Sequence, residues 1–159
     1  MEKGLDLMKT AFDALISIRQ TVKLYDQCLE GIRAAHQLTK IEIAIISFLS
    51  NNPGHDTVAE ISDMRMLSKG NVSRAADGLI RRGLLTRSPD QVDRRRVHLL
   101  LTDVSAPIVK DIHKAGTDFI HLLFDGFTQE DRMTFFELNN RLIKNVSRNL
   151  ERSVSLGRE

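Results

Sequence analysis

The stretch LSKGNVSRAADGLIRRGLLTRSPDQVDRRRVHLLLT, residues 67–102, decides the fold. Its first half has a helical period. Val72, Ala75, Ala76 and Leu79 fall on one face, Ser68 is a natural N-cap, and Gly83 stands where a helix end takes a left-handed residue. From Leu84 the period changes to two. Leu84, Leu85 and Thr86 begin a strand, Ser88-Pro89-Asp90 marks a turn, and Val97, Leu99 and Leu101 share one face of a returning strand. The second half is therefore a β-hairpin with a basic tip.

Towards the N-terminus, Thr57 followed by Glu60 is a capping box, and Val58, Ile61 and Met64 give the helix behind it an apolar face over barely two turns. Asn51-Asn52-Pro53-Gly54 is a turn by composition. Before it, Thr39 and Glu42 form a second capping box, opening a short helix with Ile43, Ile46, Phe48 and Leu49. Short helices joined by a tight turn, the last with a basic and polar outer face, followed directly by a basic hairpin, describe a winged helix-turn-helix. Long helices flank it. Met8, Phe12, Leu15, Ile18, Val22, Tyr25 and Leu29 predict one amphipathic helix over about 5–33. Beyond the hairpin a helix starts at Thr102 or Ser105, with Pro107 tolerable in its first turn. Thr128, backed by Gln129, Glu130 and Asp131, opens a last helix striped by Phe135, Leu138, Leu142, Val146 and Leu150, with fraying expected after about residue 152. The fold class is mainly α and single-domain (1–159): residues 39–102 form a winged helix-turn-helix lobe, and residues 1–36 and 103–155 form dimerisation helices.

Composition narrows the function. The 159 residues are 42% hydrophobic and 28% charged, enough for a core without disulfides or structural metal, and Cys28 has no internal partner thiol. No apolar run approaches a membrane span, and Glu2, Lys3, Asp6, Lys9 and Asp13 interrupt any secretory segment, so the expected compartment is the cytoplasm. The net charge of +2 conceals an asymmetry. Residues 65–96 carry nine Lys/Arg against three Asp, while the remainder is net negative. A basic segment in an acidic body is the footprint expected for a polyanion partner. With no Trp and few aromatic residues, the chain lacks base-stacking platforms for single strands, so duplex DNA is the favoured polyanion. No phosphate loop, H-E-x-x-H or C-x-x-C occurs, and five scattered histidines, His113 and His121 included, lack metal-ligand spacing. Neither an enzymatic site nor a cofactor is expected.

Residues 67–102, with the spacing from Gly83-Leu84 to Asp93 and Arg95 and on to Leu101-Thr102, resemble the MarR family of regulators. The match is close over about residues 57–102 and extends to the flanking helices only in order and length. Met66 departs from the small turn residue usual there, and Gly70 and Gly78 interrupt the recognition helix. Each interior glycine costs about 1 kcal/mol relative to Ala, and close approach to DNA or to another helix is the expected reason. The resemblance implies a homodimer with interlocking first and last helices, a pseudo-palindromic operator, a repressor's action and release by a small-molecule effector. A helical protein-interaction module without DNA binding is the alternative.

With Val72 turned to the core, Gly70, Ser73, Arg74 and Asp77 lie on the outer face of the recognition helix, and Ser68, Lys69 and Asn71 occupy the end that enters a groove. Arg74 or Lys69 suits guanine and Asn71 suits adenine, while Ser68 and Ser73 suit phosphate or base edges. On the wing, Asp93 and Arg95 are two apart in an extended segment and can lie on one side, the carboxylate orienting the guanidinium; Arg94 and Arg96 point the other way. The family resemblance implies that an arginine of the wing enters a narrow minor groove. An effector pocket where dimerisation helices meet the lobe would draw on Tyr25, His36, Phe48 and His113. Cys28 reads as a small buried hydrophobe rather than a redox switch.

Overall fold

A computed structural model of the chain describes the backbone of residues 2–93 and 96–156, and the side chains of residues 9–93 and 96–152. The helices are α1 (Glu2–Cys28), α2 (Glu30–His36), α3 (Lys40–Asn51), α4 (Val58–Arg65) and α5 (Lys69–Arg81), followed by strands β1 (Leu85–Pro89) and β2 (Val97–Leu101), then α6 (Ala106–Leu123) and α7 (Gln129–Leu156). The chain forms two compact units, residues 1–120 and 121–159.

Within the first unit, α5 packs against α3 and α4, and β1 and β2 close the arrangement. Ile45, Ile46, Ile61, Val72, Ala76 and Leu79 are fully buried at its centre, joined by Ile43 and Leu99. Both capping boxes form: Thr39 accepts from the Glu42 amide and Thr57 from the Glu60 amide, with each glutamate reaching back to its cap backbone. Ser68 caps α5 by accepting from Asn71 N at 3.3 Å. Gly83 takes φ +70°, and the bond from Leu84 N to Leu79 O, 3.0 Å, completes the helix stop.

Three expectations are corrected. The single helix over 5–33 is two helices, broken at Leu29, which is buried in the core just before the weak helix former Gly31. Ser88 and Pro89 are not turn residues: they pair with His98 and Val97 in an antiparallel ladder that also sets Arg87 opposite Leu99 and Leu85 opposite Leu101. Pro89 is tolerated because it closes a strand end. The helix after the hairpin begins at Ala106, preceded by a 3₁₀ turn over Asp103–Ser105, which leaves Pro107 inside the first turn where no amide is needed.

In the second unit Thr128 starts α7 as expected, its hydroxyl accepting from Asp131 N at 3.1 Å while the Asp131 carboxylate accepts from Thr128 N at 2.9 Å. Phe124 is buried against Phe127, Phe135 and Phe136, with ring centroids 5.1–5.5 Å away. Helix α7 runs on through Leu156, past the expected fraying point. Among the described residues no helix is long and apolar enough to cross a membrane.

Candidate nucleic-acid interface

Helix α5 presents the predicted face. Ser68, Lys69, Gly70, Asn71 and Arg74 are exposed, and Ser73 and Asp77 are half-buried. Arg74 donates through Nη2 to Asn71 Oδ1 at 2.6 Å, so the two side chains assigned to different bases are held together, one turn apart. The two interior glycines separate in meaning. A Cβ at Gly78 would lie 3.1 Å from Glu42 Oε1, the carboxylate that closes the α3 cap; Gly78 therefore serves the α5–α3 contact. A Cβ at Gly70 would meet nothing within 4 Å, so no contact within the protein calls for a glycine there. Met66 adopts φ +54° as the C-cap of α4, the left-handed turn that sets α5 across α4, and is 84% exposed.

The basic segment is partly spent within the protein. Arg82 donates to His36 O at 2.6 Å and Gln37 O at 3.1 Å, closing the end of α2. Arg87 is paired with Asp77, and Arg96 reaches Glu60 Oε1 at 3.5 Å. Of the wing's three successive arginines, Arg94 and Arg95 lie outside the described residues, so the predicted Asp93–Arg95 pair does too.

What sequence reasoning missed is how the wing is fixed. Asp90 Oδ1 accepts from Val92 N at 2.7 Å and Asp93 N at 2.8 Å, and Asp90 N donates to Arg96 O at 3.1 Å. His98 Nε2 faces Asp90 Oδ2 at 3.0 Å while its Nδ1 is bonded to Asp56 Oδ1. Asp56 in turn accepts at its carbonyl from Leu99 N, 2.9 Å, and donates its own amide to Glu60 Oε2, 3.2 Å. Glu60 is held at about 2, from an ordinary 4.5, chiefly by the Thr57 hydroxyl and then the Thr57 amide. The aspartate in the Ser88-Pro89-Asp90 run was a legible turn signal; that its partner is His98, and that Asp56 waits on the far side, is set by the β1–β2 register.

The four residues expected in a pocket are not gathered in one cavity. Tyr25 lines a cavity of about 330 Å³ with Val22, Leu29, Ile41 and Leu67, into which Arg33, Lys40 and Arg65 also reach. Tyr25 and Phe48 share a second, more polar cavity of about 360 Å³. His36 is engaged by Asp111 at 3.0 Å, and His113 lies 3.3 Å from Ser50 Oγ. Cys28 is half-buried against the core. Among the described residues no three His, Cys, Asp or Glu side chains are grouped to hold a metal ion.

Comparison with known proteins places this geometry. Residues 36–96 match the model of the MarR family. The uncharacterized HTH-type transcriptional regulator YpoP of Bacillus subtilis (strain 168) is 24% identical over 108 residues, covering 68% of this chain and 76% of that protein. The crystal structure of a MarR-family regulator from Silicibacter pomeroyi superposes with a TM-score of 0.74 at 21% identity, over 84% of this chain and 89% of the other. Bordetella bronchiseptica BpsR, whose DNA binding is regulated by 6-hydroxynicotinic acid, superposes with a TM-score of 0.64 at 18% identity, over 82% of this chain and 98% of its own.

Proposed function

From its membership of the MarR family of winged-helix transcriptional regulators, we propose that this chain binds duplex DNA sequence-specifically as a homodimer on a pseudo-palindromic operator and acts as a repressor. The observation that carries the reading is the exposed run Ser68–Arg74 on α5, with Gly70 bare of neighbours, beside a hairpin fixed to the same lobe. In this reading the Arg74–Asn71 unit and Lys69 read base edges in the major groove, Ser68 and Ser73 contact phosphate or base edges, and Arg94, Arg95 and Arg96 form the wing contact with Asp93 orienting Arg95. Effector release uses the cavity of Tyr25, whose apolar wall suits a small aromatic ligand, Asp26 in the same lining already pairing with Arg33 and Lys40; the effector response of BpsR supports such a role. The protein is a regulator rather than an enzyme.

The engagement of Arg82, Arg87 and Arg96 within the protein favours a second reading, a protein-interaction module of the same fold. Duplexes selected from random DNA separate the two. Each phosphate contact releases counterions, so with six to ten contacts the affinity falls by about 10³ to 10⁵ between 50 and 200 mM salt. Arg74→Ala weakens the selected duplex by about 1–3 kcal/mol and relaxes one base position. A flat salt response, or equal affinity of Arg74→Ala for selected and scrambled duplex, selects the interaction module.

A further inference from the structure

His98 is the one ring through which the wing is joined to the helix-turn-helix among the described side-chain bonds. Each of its nitrogens faces a carboxylate, Asp56 on one side and Asp90 on the other. A neutral imidazole carries one donor and one acceptor, and an ionised carboxylate only accepts, so both bonds are made together only by the doubly protonated ring. The two ends do different work. Asp56 belongs to the entry of α4, where its amide joins the Glu60 cap; Asp90 shapes the wing turn by holding the amides of Val92 and Asp93. All three side chains are largely withdrawn from solvent, with 22–25% of their surface exposed.

We infer that the Asp56–His98–Asp90 bridge is a proton-dependent clamp that positions the wing for DNA, so that operator affinity follows the charge state of His98. The inference rests on the DNA-binding reading above. The hydrogen bond donated to Asp56, then that donated to Asp90, raises the imidazole pKa above its ordinary 6.5, against a smaller opposing effect of burial. Asp90 is held well below the usual carboxylate range by the Asp93 amide first and by His98 next. Because the histidine value is raised, the clamp is complete below about 6.5 and is lost as pH rises through the folded value; because the Asp90 value is depressed, acid opens the clamp only when pH falls through that low value. The other charged groups nearby are accounted for. On the α4 side Glu60 engages His55 and Arg96, both at 3.5 Å. β1 sets Ser88 opposite the ring and commits its single charge, Arg87, to Asp77. The charges of α3, Lys40 and Glu42, are used at its first turn by Asp26 and the Thr39 cap.

The test combines ring NMR of the intact protein with duplex affinity across pH, using a duplex selected from random DNA and a scrambled control. The clamp predicts that His98 is mainly protonated on both nitrogens at pH 6.5 and titrates above that value. It predicts that affinity for the selected duplex falls about tenfold from pH 6.5 to 8.5, with a smaller change on the scrambled one, and that His98→Gln is weak throughout and nearly flat. Asp90→Ala gives a sign test: removing a negative charge near DNA should tighten binding, whereas losing the clamp should weaken the selected duplex. A mainly neutral ring at pH 6.5 in the wild type overturns the clamp whether or not the variants fold. Tighter binding by Asp90→Ala, or matching pH profiles of wild type and His98→Gln, overturns its role in DNA binding. Failure to bind any duplex at 50 mM salt overturns the DNA-binding reading, while the ring titration still reports whether the bridge is a cation.

Discussion

Gly70 and Gly78 look equivalent in a string of letters, two weak helix formers within one short helix, and the structure gives them opposite meanings. Gly78 sits 3.1 Å, measured from an added Cβ, from the Glu42 carboxylate, and Gly70 faces open space. Nothing in the sequence separates them, because the difference depends on which side of α5 meets α3. The consequence is testable. Gly70→Ala adds helix propensity at no steric cost and is expected to stabilise the fold by up to about 1 kcal/mol, seen as a higher denaturation midpoint. The same methyl group would stand between the backbone and DNA, so affinity for a selected duplex should fall. A variant that is more stable and binds DNA equally well would leave Gly70 without a role at the interface. The outer face of α5 was legible because Val72 alone fixes the helix phase. The partnerships of Arg82, Arg87 and Arg96 were not, since each bond joins residues 10 or more apart and counting charge cannot tell a side chain facing DNA from one capping another helix.

Elements with a chemical start signal were read correctly: α3 and α4 begin at their capping boxes, α5 at Ser68 and α7 at Thr128. Signals of this kind are local, so one sequence suffices. The break between α1 and α2 had no such mark, because burial of Leu29 is a tertiary event, and the left-handed turns at Gln37 and Met66 lack the Gly or Asn that usually announces them. Helix α4 is only eight residues long and depends on its ends. Glu60 accepts from Thr57 N at 3.0 Å and from the Thr57 hydroxyl at 2.7 Å, and its pKa is lowered to about 2. A carboxylate with a depressed folded value stabilises above its unfolded value, here 4.5, and that contribution is lost as pH falls towards about 2. Glu60→Gln retains an acceptor for the cap and removes the charge. It should therefore be less stable than the wild type at pH 7, and the gap should close between pH 4.5 and about 2 when urea midpoints are compared. A gap that persists unchanged to pH 2 would mean that Glu60 acts through packing alone.

At the scale of the whole molecule, each compact unit leaves an apolar row uncovered. Phe12, Leu15, Ile18 and Val22 of α1 are between 53 and 64% exposed, and Leu138, Leu142, Val146 and Leu150 of α7 between 49 and 54%. The α1 row keeps three- and four-residue spacing and the α7 row four-residue spacing, the mark of a helix face meant for burial. The core of the first unit is already complete without them, with Ile45, Ile46 and Ile61 fully enclosed, so the rows are surplus to folding one lobe. A second copy of the chain is the partner that the dimer reading supplies. Light scattering at micromolar concentration should give twice the 18.0 kDa chain mass. Leu142→Glu places a charge in the middle of the α7 row and should drive the mass towards the monomer while leaving helix content by circular dichroism unchanged. The effect on DNA follows from geometry. A dimer holds two recognition helices on one duplex, and linked sites gain about 10²–10⁴ in affinity over a single one. The monomer should lose a factor of that order. It should also show about half the slope of log affinity against log salt, because half as many phosphates are neutralised per bound molecule. An unchanged salt slope in a variant shown to be monomeric would mean that one subunit makes all the phosphate contacts, and a wild type that scatters as a monomer would remove the dimer altogether.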